Sequence, residues 1–367
     1  MKIGCVKEIK VQEYRVGITP DNVSDFIAQH HSVMIETHAG DGSGFSDAMY
    51  QAAGTVIVPN ANEIWAASEM IIRVKEPLEP EYQHMREGQI LYTYLHLAAN
   101  QPLTEAMMKS GCIGVAYETI EDARGDLPLL KPMSEIAGRL SIQEGAKYLE
   151  KPFGGKGVLL GGVPGVKNAK VVILGAGIVG MNACQMAVGL GADVTMIDVD
   201  IEKLRHMDAL YGNKIHTLYS SPSTIRNEVK TADLVIGAVL IHGASAPKLL
   251  KREYLSDMTA GSVIVDVAVD QGGCFETTRV TYHNDPVYEV DHIVHYCVAN
   301  MPGAVARTST LALTNATLPY GLRIADQGIE TAMRADPMLR KGINVYRGHC
   351  TYDKVALQFH IPYTELV

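Results

Sequence analysis

Residues 170–180 decide the fold, and they read Lys170-Val171-Val172-Ile173-Leu174-Gly175-Ala176-Gly177-Ile178-Val179-Gly180. The apolar, β-branched run predicts a buried strand, and the glycines after it have the Gly-x-Gly-x-x-Gly spacing of a dinucleotide-binding turn. Gly175 would allow the tight turn, Gly177 the approach of a pyrophosphate, and Gly180 close packing of helix on strand. The amino end of the following helix then presents free N–H groups to the phosphates, which predicts a Rossmann domain.

Asp198 indicates which dinucleotide binds. It stands 18 residues after Gly180, at the end of the next apolar run. Its carboxylate can accept hydrogen bonds from ribose hydroxyls and would repel a 2′-phosphate, which favours NAD over NADP. The basic residues Lys203 and Arg205 follow nearby and leave NADP as an alternative.

Length and composition limit the class of protein. At about 100–200 residues per domain, 367 residues suggest two domains. A net charge of −9 argues against a nucleic-acid partner, which calls for a basic patch. The uncharged stretch 171–192 is long enough for a membrane span, but its five glycines and its strand-turn-helix pattern argue against one. Six scattered cysteines and a charged amino-terminal segment without a signal-peptide pattern predict a cytoplasmic protein.

Short apolar runs alternate with amphipathic segments along the chain. Strands alternating with helices predict an α/β fold with mostly parallel sheets. We also expect a helix over 133–150 with Ser134 as its N-cap, a strand over 295–298, and a long apolar helix from Leu311 to about Ile324.

Polar residues follow several of the predicted strands. Arg15, Lys75 and His96 come after strands of the first half, and Asp270 and Asn300 after strands of the second. Ligands of open parallel sheets gather at the carboxyl ends of the strands, so these residues are candidates for a substrate site. A single Arg or Lys after a strand is more often a solvated loop charge, and a lone His beside apolar residues is more often a core or rim residue. Asp270 fits a simple turn before two glycines.

The residue types suit hydride transfer on a small carboxylate-bearing substrate. Arg15 can grip a carboxylate, Lys75 can hold the carboxylate or polarise a carbonyl oxygen, and His96 can exchange protons near neutral pH. Asp270 could orient an amine, a water molecule or the groups facing the nicotinamide. We predict no metal site, because His292 and His295 would lie on opposite faces of a strand and no further cluster of ligands completes a site.

Seven motifs spread over the whole chain match one family. They are Lys7-Glu8 with Glu13-x-Arg15-Val16-x-x-Thr19-Pro20, Val74-Lys75-Glu76-Pro77, Leu95-His96-Leu97-Ala98, Pro132-Met133-Ser134-Glu135-Ile136-Ala137-Gly138-Arg139, Gly161-Gly162-Val163-Pro164-Gly165-Val166, Asp266-Val267-Ala268-Val269-Asp270-Gln271-Gly272-Gly273 and Val298-Ala299-Asn300-Met301-Pro302. Through them the sequence resembles the family of alanine dehydrogenases and the NAD-binding subunit of proton-translocating transhydrogenase. The transhydrogenase alternative is disfavoured, because nothing in the last 65 residues resembles a membrane anchor.

The resemblance implies an architecture and an activity. It implies two doubly wound domains, with a Rossmann NAD-binding domain at 131–305 inserted into a substrate-binding domain formed by 1–130 and 306–367. The activity is the reversible, NAD-dependent oxidative deamination of L-alanine to pyruvate and ammonium, by hydride transfer from the alanine Cα, and homohexamers are usual in the family.

The resemblance also assigns residues. Arg15 and Lys75 would bind the substrate, and His96 and Asp270 would be catalytic. Beside the glycine loop of Gly175, Gly177 and Gly180, the cofactor would be bound by Ser134, Asp198, Lys203, Ser220, Val239, Leu240, Val267, Ala268, Val269, Asp270, Arg279, Val298, Ala299, Asn300 and Met301. Two alternatives stay open, a dehydrogenase for a larger amino acid and a non-enzymatic NAD-binding scaffold.

Overall fold

The structure, a computed structural model, describes residues 1–239 and 246–366. The chain divides into two compact units, each with its own sheet. The discontinuous unit consists of Met1–Met133 together with Val305–Val367, and the inserted unit is Ser134–Ala304.

Strands and helices alternate through most of the chain. The first part of the discontinuous unit contains β1 (Lys2–Cys5), α1 (Pro20–Ala28), β2 (Ser32–Glu36), α2 (Asp47–Ala52), β3 (Val56–Val58), α3 (Ala61–Ala67), β4 (Met70–Ile72), β5 (Ile90–Thr93), α4 (Gln101–Ser110) and β6 (Ile113–Ala116). Helix α5 (Lys131–Tyr148) leads into the inserted unit, which continues with β7 (Lys170–Leu174), α6 (Ile178–Gly189), β8 (Asp193–Asp198), α7 (Ile201–Tyr211), β9 (Ile215–Tyr219), α8 (Pro222–Val229), β10 (Leu234–Gly237), α9 (Arg252–Leu255), β11 (Val263–Asp266), β12 (Val287–Val290) and β13 (Ile293–Tyr296). The last part of the chain forms α10 (Ala306–Gln327), α11 (Ile329–Ala335), α12 (Pro337–Lys341), β14 (Ile343–Tyr346), β15 (His349–Cys350) and α13 (Asp353–Phe359).

The sheet of the discontinuous unit has eight strands in the order β15-β14-β6-β5-β4-β1-β2-β3. Strands β1 to β6 pair in parallel, whereas β14 pairs antiparallel with both β6 and β15. The central strands β4, β5 and β6 are buried along their whole length, as expected for a parallel sheet covered on both faces. Strands β1, β4 and β5 lie side by side, so their carboxyl ends are neighbours.

The sheet of the inserted unit has seven strands in the order β12-β13-β11-β10-β7-β8-β9. All pairs are parallel except the β12–β13 pair. With β7 as the first strand, the parallel part has the doubly wound 3-2-1-4-5-6 order, which reverses between β7 and β10. The predicted α/β class with two doubly wound sheets is confirmed.

Side-chain caps explain where many helices begin. The Oγ1 of Thr19 accepts the Asn22 N–H at the start of α1, and the Oδ1 of Asn100 accepts the Leu103 N–H at the start of α4. Asp200 caps α7 in the same way, and Gly111 ends α4 in the left-handed conformation. The stretch 171–192 forms β7, a turn and α6, and no helix in the described parts of the chain is long and apolar enough to cross a membrane.

Some expected boundaries are wrong. Ser134 is not an N-cap, because α5 begins at Lys131. Pro132 lies in the first turn of the helix, where main-chain N–H groups have no partner within the helix and the missing N–H of proline costs nothing. Helix α10 begins at Ala306 instead of Leu311. Thr310 can lie within the helix because its hydroxyl is hydrogen-bonded to the Ser43 hydroxyl and accepts the Val16 main-chain N–H. The strand expected at 295–298 lies at Ile293–Tyr296, where it forms a hairpin with β12.

Candidate active site

The discontinuous unit carries three of the candidate residues beyond the carboxyl ends of its neighbouring central strands. Arg15 follows β1, Lys75 follows β4 and His96 follows β5. The positive charge of Arg15 is close enough to disfavour protonation of Lys75. The structure therefore places these strand-end residues at one edge of the sheet.

Arg15 is buried and paired with Glu13. Its Nε donates to Glu13 Oε1 at 2.6 Å, and its Nη2 lies 2.5 Å from Glu13 Oε2. Burial alone would raise the pKa of Glu13, but the hydrogen bonds and charge of Arg15 outweigh burial and hold that pKa below its ordinary value. Glu13 thus binds one edge of the Arg15 guanidinium and fixes its plane. The Nη1 of Arg15 lies 3.2 Å from Met133 Sδ.

Lys75 is partly buried beside this pair. Within the described residues its Nζ makes no hydrogen bond and no ion pair, although its main-chain N–H is held by Glu8. Burial and the neighbouring Arg15 lower the pKa of Lys75 below its ordinary value. A desolvated ammonium with these neighbours is suited to meet an anionic or carbonyl oxygen of a ligand.

His96 is oriented by Glu76. The His96 Nδ1 lies 3.0 Å from Glu76 Oε2, and 43% of the histidine side chain is exposed. Burial opposes ionisation of Glu76, but His96 and Lys10 hold the pKa of Glu76 well below its ordinary value. An ionised carboxylate only accepts hydrogen bonds, so Nδ1 must be the donor and Nε2 is left as the proton-accepting atom.

Two further carboxylates fix the main chain at these strand ends. Glu8 Oε1 accepts the N–H groups of Val74 at 2.7 Å and Lys75 at 3.1 Å, and Glu118 Oε1 accepts those of Leu95 at 3.1 Å and His96 at 2.6 Å. His96 itself has a φ of 49°, a left-handed conformation that such bonds help to hold. No role was predicted for four glutamates of this site, Glu8, Glu13, Glu76 and Glu118. The signal in the sequence that could have indicated them is an acidic residue close to a strand end.

In the inserted unit, the glycine loop leads from β7 into α6 as predicted. Gly175 has a φ of 106°, and a Cβ added at Gly180 would lie 1.8 Å from the Gly175 carbonyl oxygen. A Cβ added at Gly177 would meet no atom within 4 Å, and no side chain caps α6. The loop therefore leaves open space in front of uncapped helix N–H groups, which fits a phosphate-bearing cofactor.

Asp198 ends β8 and binds the main chain as well. Its Oδ2 accepts the Ala176 N–H at 2.6 Å, and its Oδ1 accepts the Asp200 N–H at 2.8 Å. Each carboxylate oxygen has a second lone pair, so Asp198 can hold the glycine loop and still accept a ribose hydroxyl. This tie to the loop was not predicted.

Most of the other predicted cofactor residues follow the carboxyl ends of the strands on this sheet. Val239 follows β10 and Ser220 follows β9, while Val267, Ala268, Val269 and Asp270 follow β11, and Val298, Ala299, Asn300 and Met301 follow β13. Leu240 lies outside the described residues. Lys203 lies on α7 with its Nζ 3.7 Å from Asp200, and the Arg279 guanidinium stacks 4.1 Å from the centre of the Tyr288 ring.

Asp266 anchors the segment that carries Asp270. The buried Asp266 carboxylate accepts the main-chain N–H groups of Ala268 at 3.0 Å and Cys274 at 2.9 Å, and the Thr278 hydroxyl. Burial raises the pKa of Asp266. Asp270 Oδ2 lies 3.5 Å from the main-chain N of Asn300, so the segments after β11 and β13 meet at these two residues.

The histidines considered as metal ligands do not converge. His295 is buried, with its Nε2 2.7 Å from the Thr277 hydroxyl, whereas His292 is exposed beside Glu289. Elsewhere His38, Asp41 and Asp47 lie close together on the surface. An exposed acidic group of this kind is common without a metal, and we assign it no role.

Comparison with known proteins identifies the family. The family model described as "Alanine dehydrogenase/PNT, N-terminal domain" matches residues 4–137, and "Alanine dehydrogenase/PNT, C-terminal domain" matches residues 141–353. The chain is 51% identical over 365 residues to the alanine dehydrogenase of Mycolicibacterium smegmatis, with 100% of this chain and 98% of that protein covered. It is 55% identical over 365 residues to the alanine dehydrogenase of Methanococcus maripaludis, with 99% and 98% covered.

Solved structures agree with the sequence relatives. A structure titled L-alanine dehydrogenase superposes with a TM-score of 0.96 at 52% identity, covering 98% of this chain and 99% of that one. A transhydrogenase from Sinorhizobium meliloti superposes with a TM-score of 0.82 at 22% identity, covering 96% and 99%, and shows a shared fold. Both halves of the family's architecture are matched, and the chain belongs to the alanine dehydrogenase/PNT family.

Proposed function

We propose that this protein is an NAD-dependent alanine dehydrogenase, which converts L-alanine to pyruvate and ammonium and also runs in the reverse direction. The observation that carries the proposal is the set of Arg15, Lys75 and the Glu76-oriented His96 at adjacent strand ends of one unit. The open, uncapped glycine loop of the inserted unit supports the cofactor assignment. Relatives named alanine dehydrogenase, at about half identity over the whole chain, support the substrate.

The discontinuous unit would bind alanine. Arg15, held in plane by Glu13, meets the substrate carboxylate from the side of Nη1. Lys75 binds the same carboxylate and, at the pyruvate stage, the keto oxygen. Because Lys75 has no partner of its own among the described residues, its ammonium is available to a ligand.

The inserted unit would bind NAD. The helix N–H groups after Gly177 hold the pyrophosphate, and Asp198 accepts hydrogen bonds from the adenosine ribose hydroxyls. Val239 and the segments after β11 and β13 line the nicotinamide end. When bound, NAD takes the hydride from the alanine Cα and so supplies the redox chemistry. The family resemblance assigns Ser134 and Asp270 to the cofactor, and Asp270 to catalysis as well.

His96 would move the protons. The substrate ammonium first gives up one proton to solvent, and loss of the Cα hydride then leaves an iminium on the substrate. A water molecule adds to the iminium carbon while His96 Nε2 takes a proton from that water and returns it to the amino nitrogen of the carbinolamine. As the C–N bond breaks, His96 Nε2 takes the hydroxyl proton, which gives pyruvate and ammonia and, once that proton is passed on, ammonium. Glu76 stabilises the protonated imidazole and keeps Nε2 directed to the water.

The experiment is a panel of amino acids with NAD, followed by the absorbance of the reduced nicotinamide. Alanine should be oxidised with the highest kcat/KM among alanine, serine, glycine, 2-aminobutyrate and lysine. A preference for lysine or 2-aminobutyrate would make the protein a dehydrogenase for a larger substrate. NAD binding without oxidation of any member would favour the scaffold alternative and end the proposal.

Glu76→Gln should lower kcat for alanine oxidation. The amide can still accept the Nδ1–H, so the ring keeps its orientation but loses the negative charge beside it. The imidazolium that forms when Nε2 takes the proton is then less stabilised, and kcat should fall about tenfold while the Kd for NAD stays unchanged. Glu79→Gln, an exposed change of the same charge, should leave kcat unchanged, and a wild-type kcat in Glu76→Gln would contradict the pairing.

Asp198→Ala should weaken the preference for NAD. Removing the carboxylate removes the group that repels the 2′-phosphate of NADP and also the acceptor for the ribose hydroxyls of NAD. The ratio of kcat/KM with NAD to kcat/KM with NADP should therefore fall at least about tenfold. Asp208→Ala removes one exposed charge from α7, the helix that follows Asp198, and should leave the ratio unchanged. An unchanged ratio in Asp198→Ala would remove Asp198 from the ribose site.

The family resemblance and the state of the cysteines support a proposal for the oligomeric state and the cellular location of the protein. We propose a homohexamer in the cytoplasm, and light scattering of the purified protein measures the first. All six cysteines are free and buried, which supports a reducing compartment.

A further inference from the structure

Helix α5 approaches the first turn of α6 more closely than a side chain would allow. A Cβ added at Gly138 of α5 would lie 2.2 Å from the Val179 carbonyl oxygen and 3.0 Å from Asn182 Cβ. Real Cβ atoms essentially never come within 3.0 Å of another heavy atom in this way. The obstacle is a main-chain oxygen, which cannot rotate aside as a side chain could, and so this spacing requires glycine.

Arg139 ties the same two helices together. Its Nε donates to Asn182 Oδ1 at 3.0 Å, and its Nη2 donates to Gln185 Oε1 at 2.9 Å. Asn182 in turn donates from Nδ2 to the Ile178 carbonyl oxygen at 2.9 Å, in the first turn of α6. Gly138 and Arg139 therefore contact one face of α6, along residues spaced three apart.

The first turn of α6 cannot yield toward the sheet. On the side of β7, Gly180 already lies so close to Gly175 that a Cβ there would be 1.8 Å from its carbonyl oxygen. The first turn of α6 is thus packed between Gly138 of α5 on one side and the main chain of Gly175 on the other. A displacement forced at Gly138 must move or twist the uncapped N–H groups that follow Gly177.

We propose that Gly138 and Arg139 are positioning residues for the dinucleotide, because they set the spacing between α5 and the first turn of α6. This inference rests on the proposed function, in which α6 holds the pyrophosphate and Ser134, one turn before Gly138, contacts the cofactor. Neither residue needs to touch the cofactor. They fix the distance between the first turn of α6 and the part of α5 that carries Ser134, and it is these two parts that contact the cofactor in the proposed function.

Gly138→Ala in the full-length protein tests the proposal by calorimetric titration with NAD. Relieving the contact requires a shift of roughly 1 Å, and we expect the Kd for NAD to rise at least about tenfold. KM for NAD should rise more than KM for alanine, which binds to the other unit. The circular dichroism spectrum should stay that of the wild type.

Gly145→Ala is the matched control on the same helix. Its Cβ would meet the tips of the Leu234 side chain, at the amino end of β10, instead of a main-chain atom. Both changes have the same effect on helix propensity, so any difference between them reflects position. The control should keep the wild-type Kd for NAD even if its Tm falls.

Arg139→Ala provides a second, milder test. It removes two hydrogen bonds without adding volume, and the Kd for NAD should rise about threefold. Wild-type Kd values in both Gly138→Ala and Arg139→Ala would overturn the inference, as would equal weakening in Gly145→Ala. If Gly138→Ala fails to fold, Arg139→Ala decides alone. Absence of NAD binding in the wild type would instead refute the proposed function on which the inference rests.

Discussion

Replacing His96 by alanine should lower kcat for alanine oxidation by about 10²–10⁴-fold while leaving the Kd for NAD unchanged. In the proposed mechanism His96 is the base of the water-addition step, and its Nε2 is left for that role because Nδ1 is engaged by Glu76. Alanine cannot take a proton, so the rate should fall without a matching loss of cofactor binding. Stopped-flow and steady-state production of reduced nicotinamide measure the effect.

A second variant separates chemistry from backbone strain. His96 has a φ of 49°, which asparagine tolerates better than alanine. His96→Asn should therefore fold as the wild type does and be as inactive as His96→Ala. His349→Ala, at an exposed histidine of the same unit, should keep full turnover. Wild-type turnover in His96→Asn would show that His96 is not the base.

Arg15→Ala should both destabilise the protein and abolish saturation by alanine. Arg15 and Glu13 are a buried pair, and removing the guanidinium leaves a buried carboxylate without its main partner. Breaking such a pair costs about 3–5 kcal/mol of the free energy of unfolding. Urea unfolding measures that loss, and KM for alanine measures the second effect.

The pH dependence of this loss has a predictable sign. In the wild type the pKa of Glu13 is lowered, so the pair stabilises the fold above the ordinary glutamate range and the stabilisation is lost as the pH falls. In Arg15→Ala the buried carboxyl instead favours its protonated form, so the variant should be most destabilised at neutral pH and recover as the pH falls toward 5. The opposite trend would contradict the pairing.

The double variant Glu13→Gln with Arg15→Met is the control. It removes both charges and should regain much of the lost stability, since neutral replacement of a buried pair is often tolerated. It should not regain alanine binding, because the carboxylate-binding group is still missing. Recovery of a wild-type KM for alanine would remove Arg15 from the substrate site.

The sequence was sufficient for the framework of the fold. The run Val171-Val172-Ile173-Leu174 followed by three spaced glycines predicted β7, the turn and α6, and Asp198 lies at the end of β8 as expected. Short apolar runs predicted most of the parallel strands, but β3 and β9 were not predicted. Short or antiparallel strands such as β12, β14 and β15 were not predicted, because two to four residues paired by a hairpin carry too weak a pattern.

The partners of the supporting carboxylates could not be predicted from the sequence. Glu8 and Glu118 lie far along the chain from the N–H groups that they accept, so only the folded sheet brings them to Lys75 and His96. The hydrogen bond from the Ala176 N–H to the Asp198 carboxylate was not predicted, because the spacing of Asp198 after the glycines indicates only ribose binding. Ser134 was misread as a cap, because a Ser followed by an apolar pattern resembles a helix start and Pro132 already occupied the first turn.

The most direct test of hydride transfer from alanine follows the fate of one hydrogen. L-Alanine carrying deuterium on Cα is incubated with NAD and the protein, and the reduced nicotinamide and the products are analysed by mass spectrometry. We expect one deuterium in each reduced nicotinamide, with one pyruvate and one ammonium formed beside it. Reduced nicotinamide without deuterium, or consumption of alanine without reduction of NAD, would contradict it.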